Sequence, residues 1–151
     1  MKSKSIILAL AVLIMAFSIT AIAAESASVG DYTFDIPDDY KSIDITDTQA
    51  TLEKDDTHAI VVIFADSVSS SEDAKSNLES KGYTYIGQNS YDANGYSVNQ
   101  QNFEKNDLTV YSYDFKMKDG KYCIITYTIP SSEQPGENDD NPVTDIIKSL
   151  K

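Results

Sequence analysis

The chain has 151 residues, with 24 acidic side chains against 12 basic ones and no arginine at all. A net charge of −12 without the residue best suited to bidentate phosphate recognition sets nucleic acid and anionic lipid headgroups aside as partners. A single cysteine, Cys123, rules out an intramolecular disulfide, and a single histidine, His58, rules out a two-histidine metal site within the chain.

Lys2 and Lys4 precede an apolar run over residues 6–24 that only Ser18 and Thr20 interrupt, and Ala21-Ile22-Ala23 places small residues where signal peptidase reads them. Residues 1–23 therefore read as a secretory signal cleaved after Ala23. The same run is nearly long enough to span a bilayer, so an uncleaved anchor is the alternative, and it is the one route to a membrane that the sequence offers. Cleavage leaves residues 24–151, with ten basic against 24 acidic side chains and a charge of −14. That length suits one domain around one core, and that charge suits solubility outside the cell.

Residues 24–29 read as a short linker, and a single α+β domain is expected over residues 30–151. Tyr32, Phe34 and Ile36 alternate with polar neighbours as in a strand, which Pro37-Asp38-Asp39 stops. Ile43 and Ile45 continue an exposed, extended segment. A short strand at residues 50–54 and a turn at Asp55-Asp56-Thr57 follow. Residues 58–65 are apolar on both faces, with Ile60, Val62 and Phe64 on one and Ala59, Val61, Ile63 and Ala65 on the other. Such a strand belongs in the middle of a sheet covered on both sides. Ser70 and Asp73 resemble a capping box, which predicts a helix over residues 72–81 that stops at Gly82 and carries a thin apolar stripe, Ala74 and Leu78. Residues 83–90 and 96–104 form a hairpin around Asp92-Ala93-Asn94-Gly95. The polar run Asn99-Gln100-Gln101-Asn102 predicts a solvent-facing strand at or near a sheet edge.

Residues 107–129 form the dominant hairpin, turning at Asp119-Gly120. A two-residue loop would pair Phe115 with Ile124, Tyr113 with Thr126 and Tyr111 with Thr128. The preferred three-residue loop, Lys118-Asp119-Gly120, pairs Phe115 with Cys123, Tyr113 with Ile125 and Tyr111 with Tyr127, so one face is almost wholly apolar. Cys123 then lies in the core as an inert thiol. The other face carries Val110, Ser112, Asp114, Tyr122, Ile124 and Thr126. Being only half suited to burial, it is the sheet surface expected to meet a ligand. Residues 131–141 form a polar loop, and Asn141-Pro142 caps a last helix. Val143, Ile146, Ile147 and Leu150 make one apolar face of that helix, predicted to pack on the apolar face of the hairpin.

Catalytic patterns are sparse. His58 is the only candidate base, and no Gly-x-Ser-x-Gly elbow presents a nucleophile. The acidic pairs Asp38-Asp39, Asp55-Asp56 and Asp139-Asp140 read as solvated loops, and neither Asp92-Ala93-Asn94-Gly95 nor Glu137-Asn138-Asp139-Asp140 extends into a calcium-loop pattern. No cofactor is expected. Ten tyrosines fit half-buried strand positions, and an exposed row of them would offer a peptide or carbohydrate surface.

The opening Tyr32-Thr33-Phe34-Asp35-Ile36-Pro37, the buried strand at residues 59–65, the helix after a serine-rich link, the meander of strands and the last helix with Val143, Ile146 and Ile147 together resemble PsbP-like proteins. That superfamily includes the photosystem extrinsic protein, Mog-type Ran-binding proteins and many exported prokaryotic proteins of unassigned role. The resemblance implies a mainly antiparallel sheet between helices, an α/β/α sandwich, and no common catalytic motif. The expected molecule has roughly six to eight strands with helices on the sheet faces. It is secreted or held at the exterior of the cell envelope, where it is a non-enzymatic accessory or binding module for a protein or cell-surface partner. A calcium-stabilised surface protein and a carboxylate-dependent hydrolase are the alternatives. The binding module calls for an exposed tyrosine or apolar patch, and the hydrolase for acids converging in a pocket.

Overall fold

The computed structural model describes residues 26–136 and 140–151. The signal expected at residues 1–23 therefore falls outside the described residues. In chain order the elements are β1 (Ser26–Val29), β2 (Tyr32–Asp35), β3 (Lys41–Ile45), β4 (Gln49–Asp55), β5 (His58–Ala65), α1 (Ser71–Ser80), β6 (Thr84–Ala93), β7 (Tyr96–Lys105), β8 (Leu108–Lys116), β9 (Tyr122–Pro130) and α2 (Pro142–Ser149). Strands β3 to β9 form one antiparallel sheet in the order β3-β4-β5-β9-β8-β7-β6, and β1 pairs with β2 in a separate hairpin.

The apolar run of β5 takes an interior place, between β4 and β9, with residues 59–64 all buried. On one side Ile60, Val62 and Phe64 join Ala50, Leu52, Tyr113, Phe115, Cys123 and Ile125 in the main core. That core is closed by Ala27, Val29 and Phe34 of the small hairpin and by Val143, Ile146 and Ile147 of α2. On the other side Ala59, Val61 and Ile63 pack with Ile124 and Val68, and α1 sets Leu78 onto Phe103, Val110 and Tyr83. The sheet is thus covered on both faces, as its two-sided apolar strand requires.

The hairpin β8–β9 has the predicted register, with Phe115 opposite Cys123, Tyr113 opposite Ile125 and Tyr111 opposite Tyr127. Met117 and Lys121 close the loop, and Gly120 at φ +89° occupies the left-handed position that a residue with a Cβ enters at a cost. The turn is fastened to the rest of the molecule through the Tyr32 hydroxyl, which donates to Asp119, while the Tyr32 ring stacks on Phe64 at 4.3 Å. Helix α1 is capped by Ser70, whose Oγ accepts from the Asp73 N–H at 3.2 Å, and buries only Leu78. Helix α2 is capped by Asn141, whose Oδ1 accepts from the Thr144 N–H at 3.0 Å. Just beyond α2, Lys151 exchanges two backbone hydrogen bonds with Thr33 of β2, at 2.9 and 3.0 Å.

Three expectations need correction. Residues 24–29 are not simply a linker: Ser26–Val29 is a strand, and its Ala27 and Val29 lie in the main core. Four residues of small Ser-Ala-Ser-Val give too short an alternation to stand out. The run at residues 99–102 is not turned wholly to solvent, because Gln100 and Gln101 are buried. Their amide nitrogens are hydrogen-bonded, Gln101 Nε2 donating to the Ser71 carbonyl at 3.0 Å and Gln100 Nε2 to Asn102 Oδ1 at 2.8 Å, while Gln100 Oε1 is buried with no partner among the described residues. The edge placement holds, since β7 lies next to the outermost strand. The third correction concerns the sheet face expected to meet a ligand.

Candidate functional site

That face is Val110, Ser112, Asp114, Tyr122, Ile124 and Thr126. Val110, Ile124 and Thr126 are buried, while Ser112, Asp114 and Tyr122 are half-buried. Val110 lies under Leu78 of α1, and Ile124 against Val68 in the link that carries the chain from β5 to α1. The surface is therefore an interior layer over half its length. Tyrosine gives no open row either: Tyr40, Tyr83, Tyr111, Tyr113 and Tyr127 are buried and the other five half-buried. The exposed large apolar side chains, Ile45 at 43% and Ile86 at 50%, stand on opposite edges of the sheet and make no patch.

The most organised polar cluster surrounds His58. The tight β4–β5 turn presents Asp55, whose Oδ1 accepts from the Thr57 N–H at 2.8 Å and the Thr57 hydroxyl at 2.9 Å. The same oxygen lies 2.8 Å from His58 Nδ1, and on the far side of the ring Nε2 lies 2.7 Å from Glu133 Oε2. An imidazole held between two carboxylates must donate from both nitrogens, which makes it an imidazolium. Burial lowers the His58 pKa, but the hydrogen bonds to Glu133 and Asp55 outweigh it and the net shift is upward. Burial raises Asp55 in turn, yet the bonds from His58 and Thr57 bring it down to about 2. Thr57 Oγ1 is 3.0 Å from Nδ1, the distance of a nucleophile from its base. Its proton is committed to Asp55, however, and a protonated ring has no lone pair to receive it. The geometry clasps the loop after β9 to the β4–β5 turn and does not activate a hydroxyl.

Beneath this clasp the hydroxyls of Tyr40 and Tyr127 are hydrogen-bonded, and burial pushes Tyr40 far up. Glu53, two residues before Asp55, has Oε2 buried with no hydrogen-bond partner among the described residues, and burial beside Asp56 and Asp55 raises its pKa. Sequence pattern pointed to Asp55 but gave no sign of Glu133, which lies 75 residues from His58. Only the pairing of β5 with β9, which sets Ala59 opposite Thr128, brings that loop to the histidine.

A second feature is a cleft of about 400 Å³ between the end of β2 and α2, lined by Asp35, Ile36, Pro37, Asp38, Asp145, Lys148 and Ser149. The Asp35 N–H donates to Ser149 Oγ across it at 2.8 Å. Acids therefore share a cleft, beside a lysine. A carboxylate pair for hydrolysis also needs one acid kept protonated. The carboxyls that burial pushes up are Glu53 and Asp114. They lie on β4 and β8, three strand spacings apart or about 14 Å, and so form no such pair. Among the described residues no group of three or more His, Cys, Asp or Glu converges to hold a metal ion.

The architecture has a solved counterpart. Cyanobacterial PsbP (CyanoP) from Synechocystis sp. PCC 6803, determined in solution, superposes with a TM-score of 0.54 at 12% identity, covering 90% of this chain and 98% of that one. The fold is PsbP-like. No family model matches the sequence and no curated protein matches it. The resemblance noted from the order of elements thus holds at the level of the fold. In this PsbP-like chain the His58 clasp fastens the loop after β9, and the cleft lies where β2 meets α2.

Proposed function

We propose that this PsbP-like protein is an exported, non-enzymatic accessory module that binds a protein partner at the cell envelope or exterior. The observation that carries the reading is the state of His58. The only histidine of the chain has each ring nitrogen occupied by a carboxylate, at 2.8 and 2.7 Å, which removes it as a free base. The PsbP-like fold is compatible with the same reading. Export is supported by the signal pattern of residues 1–23, and the acidic charge suits solubility outside the cell.

The test is expression in a bacterial host, followed by fractionation, N-terminal sequencing and chemical cross-linking on intact cells. The expected product is exported, begins at Ala24 and cross-links to a discrete envelope or surface protein. Retention in the cytoplasm overturns the export reading. Turnover of an ester, glycoside or phosphoester substrate that Asp145→Asn abolishes overturns the non-enzymatic one.

A further inference from the structure

The two ends of the large sheet are not alike. The edge strand β3 has five residues, opens on Lys41, is broken by a bulge between Ser42 and Asp44, and has β1 running close to it. These are the usual ways in which a native sheet protects an edge from a further strand. The other edge strand, β6, has ten residues, Thr-Tyr-Ile-Gly-Gln-Asn-Ser-Tyr-Asp-Ala, with no lysine, no proline and one charge, Asp92. None of its residues is buried, although both α1 and α2 pass near it. Its register shifts once, between Tyr85 and Gly87, beside the half-exposed Ile86. From Gly87 to Ala93 its pairing with β7 is unbroken.

The β6–β7 turn fixes which backbone groups of this stretch are open. Asn94 and Gly95 both have positive φ, 51° and 82°, so the loop is the two-residue kind that follows the strand twist. In such a hairpin the flanking pair, Ala93 and Tyr96, exchanges both backbone hydrogen bonds, and alternate pairs do the same. Tyr91 and Asn89 thus also face β7. Gln88, Ser90 and Asp92 turn their N–H and C=O groups away from the sheet, which leaves the donor and acceptor of three alternate residues open along a stretch of unbroken pairing.

We propose that β6 is a docking edge on which an extended, lysine- or arginine-bearing segment of a partner protein adds as an eighth strand. This rests on the binding-module reading and names where that module binds. Main-chain hydrogen bonds supply affinity in this mode, so a protein without an apolar patch can still use it. Charge selects the occupant. The exported chain carries −14, and on the side-chain row that starts at Ser90 a relay of hydrogen bonds runs through Asn99 to Asp114, at 3.2 and 3.4 Å. Asp92 lies at the same end of the strand. The lysines near the other end are engaged, Lys75 over the Tyr85 ring at 4.2 Å and Lys105 on the Lys81 carbonyl at 2.8 Å. A second copy of this chain would bring another −14 to the same edge and is disfavoured by repulsion.

The test is residue-resolved hydrogen exchange on the purified protein, with and without a synthetic peptide that alternates lysine with valine. The expected result is slowed exchange at the Gln88, Ser90 and Asp92 amides and none at Lys41–Ile45, weakened by salt and absent with a glutamate–valine peptide. Ser90→Pro removes an outward N–H that β7 does not use, so it should leave the hairpin folded and weaken peptide binding at least about tenfold. Ser90→Lys, which adds a like charge to the edge without touching the backbone, should do the same if the proline variant fails to fold. Failure of the peptide to bind, binding without protection of those three amides, or full binding by both variants overturns the proposal. So does protection that appears without peptide and grows with protein concentration, which would mean that the occupant is a second copy. A cell-surface partner cross-linked equally by the wild type and Ser90→Pro would overturn the edge and leave the binding module standing, whereas no partner at all would overturn the module itself.

Discussion

At the scale of single residues, His58 links two segments that share no sequence pattern. The folded ring holds its proton more tightly than the unfolded one. Its contribution to stability is therefore complete below the unfolded value of about 6.5 and fades as pH rises through the folded pKa. Asp55 acts from the other side: its contribution is present above the unfolded value and is lost as pH falls toward 2. The clasp is strongest between those limits. His58→Gln should lower the melting temperature at pH 5–6 and flatten its decline as pH rises beyond about 6.5. With Asp55 and Glu133 about half exposed, the loss should be about 1 kcal/mol, which a melting series against pH will measure. Glu53 has the opposite sign, because a carboxyl with a raised pKa costs stability once pH exceeds that pKa. Glu53→Gln should raise the melting temperature at pH 7 by the equivalent of about 1 kcal/mol and converge on the wild type in acid, where Glu53 is protonated anyway. A variant no more stable at pH 7 would mean that water satisfies Oε2.

Among the elements, the β8–β9 hairpin was the most legible part of the sequence, since alternation and one glycine together fix its register. Gly120→Ala would force a Cβ into the φ +89° position and should cost about 1 kcal/mol, read as a shift in the denaturation midpoint, with the strand pairing retained. The capping residues Ser70 and Asn141 were legible for a similar reason, as each acts within three residues of itself. What alternation could not show is what lies on top of a strand. The face from Val110 to Thr126 mixes apolar and polar residues much as an exposed surface does, yet Leu78 reaches Val110 across 32 residues of sequence and Val68 reaches Ile124 across 56. Leu78 alone marks α1 as a covering helix, and one leucine is a faint signal.

For the molecule as a whole, the order of elements identified the fold, while the clasp and the docking edge needed the sheet order. Central strands β5 and β9 lie far apart in the chain, and β6 became an edge only because β9 returns to β5 and turns the β6–β7 hairpin outward. Deleting residues 142–151 removes Val143, Ile146, Ile147 and Leu150 from the main core together with the bonds between Lys151 and Thr33. The truncated protein should lose cooperative unfolding, which far-UV circular dichroism during a thermal melt will reveal; a sharp transition close to that of the full chain would show that the core closes without α2. The bonds from Thr33 to Lys151 also bear on when this protein can fold. Its second strand finds a partner in Lys151, 118 residues further along, so this pairing waits on a segment made much later. Contacts this distant in sequence form slowly. A chain that we propose is exported N-terminus first thereby carries a built-in delay: the bonds that join Thr33 to Lys151 form only once both segments have reached the same side of the membrane.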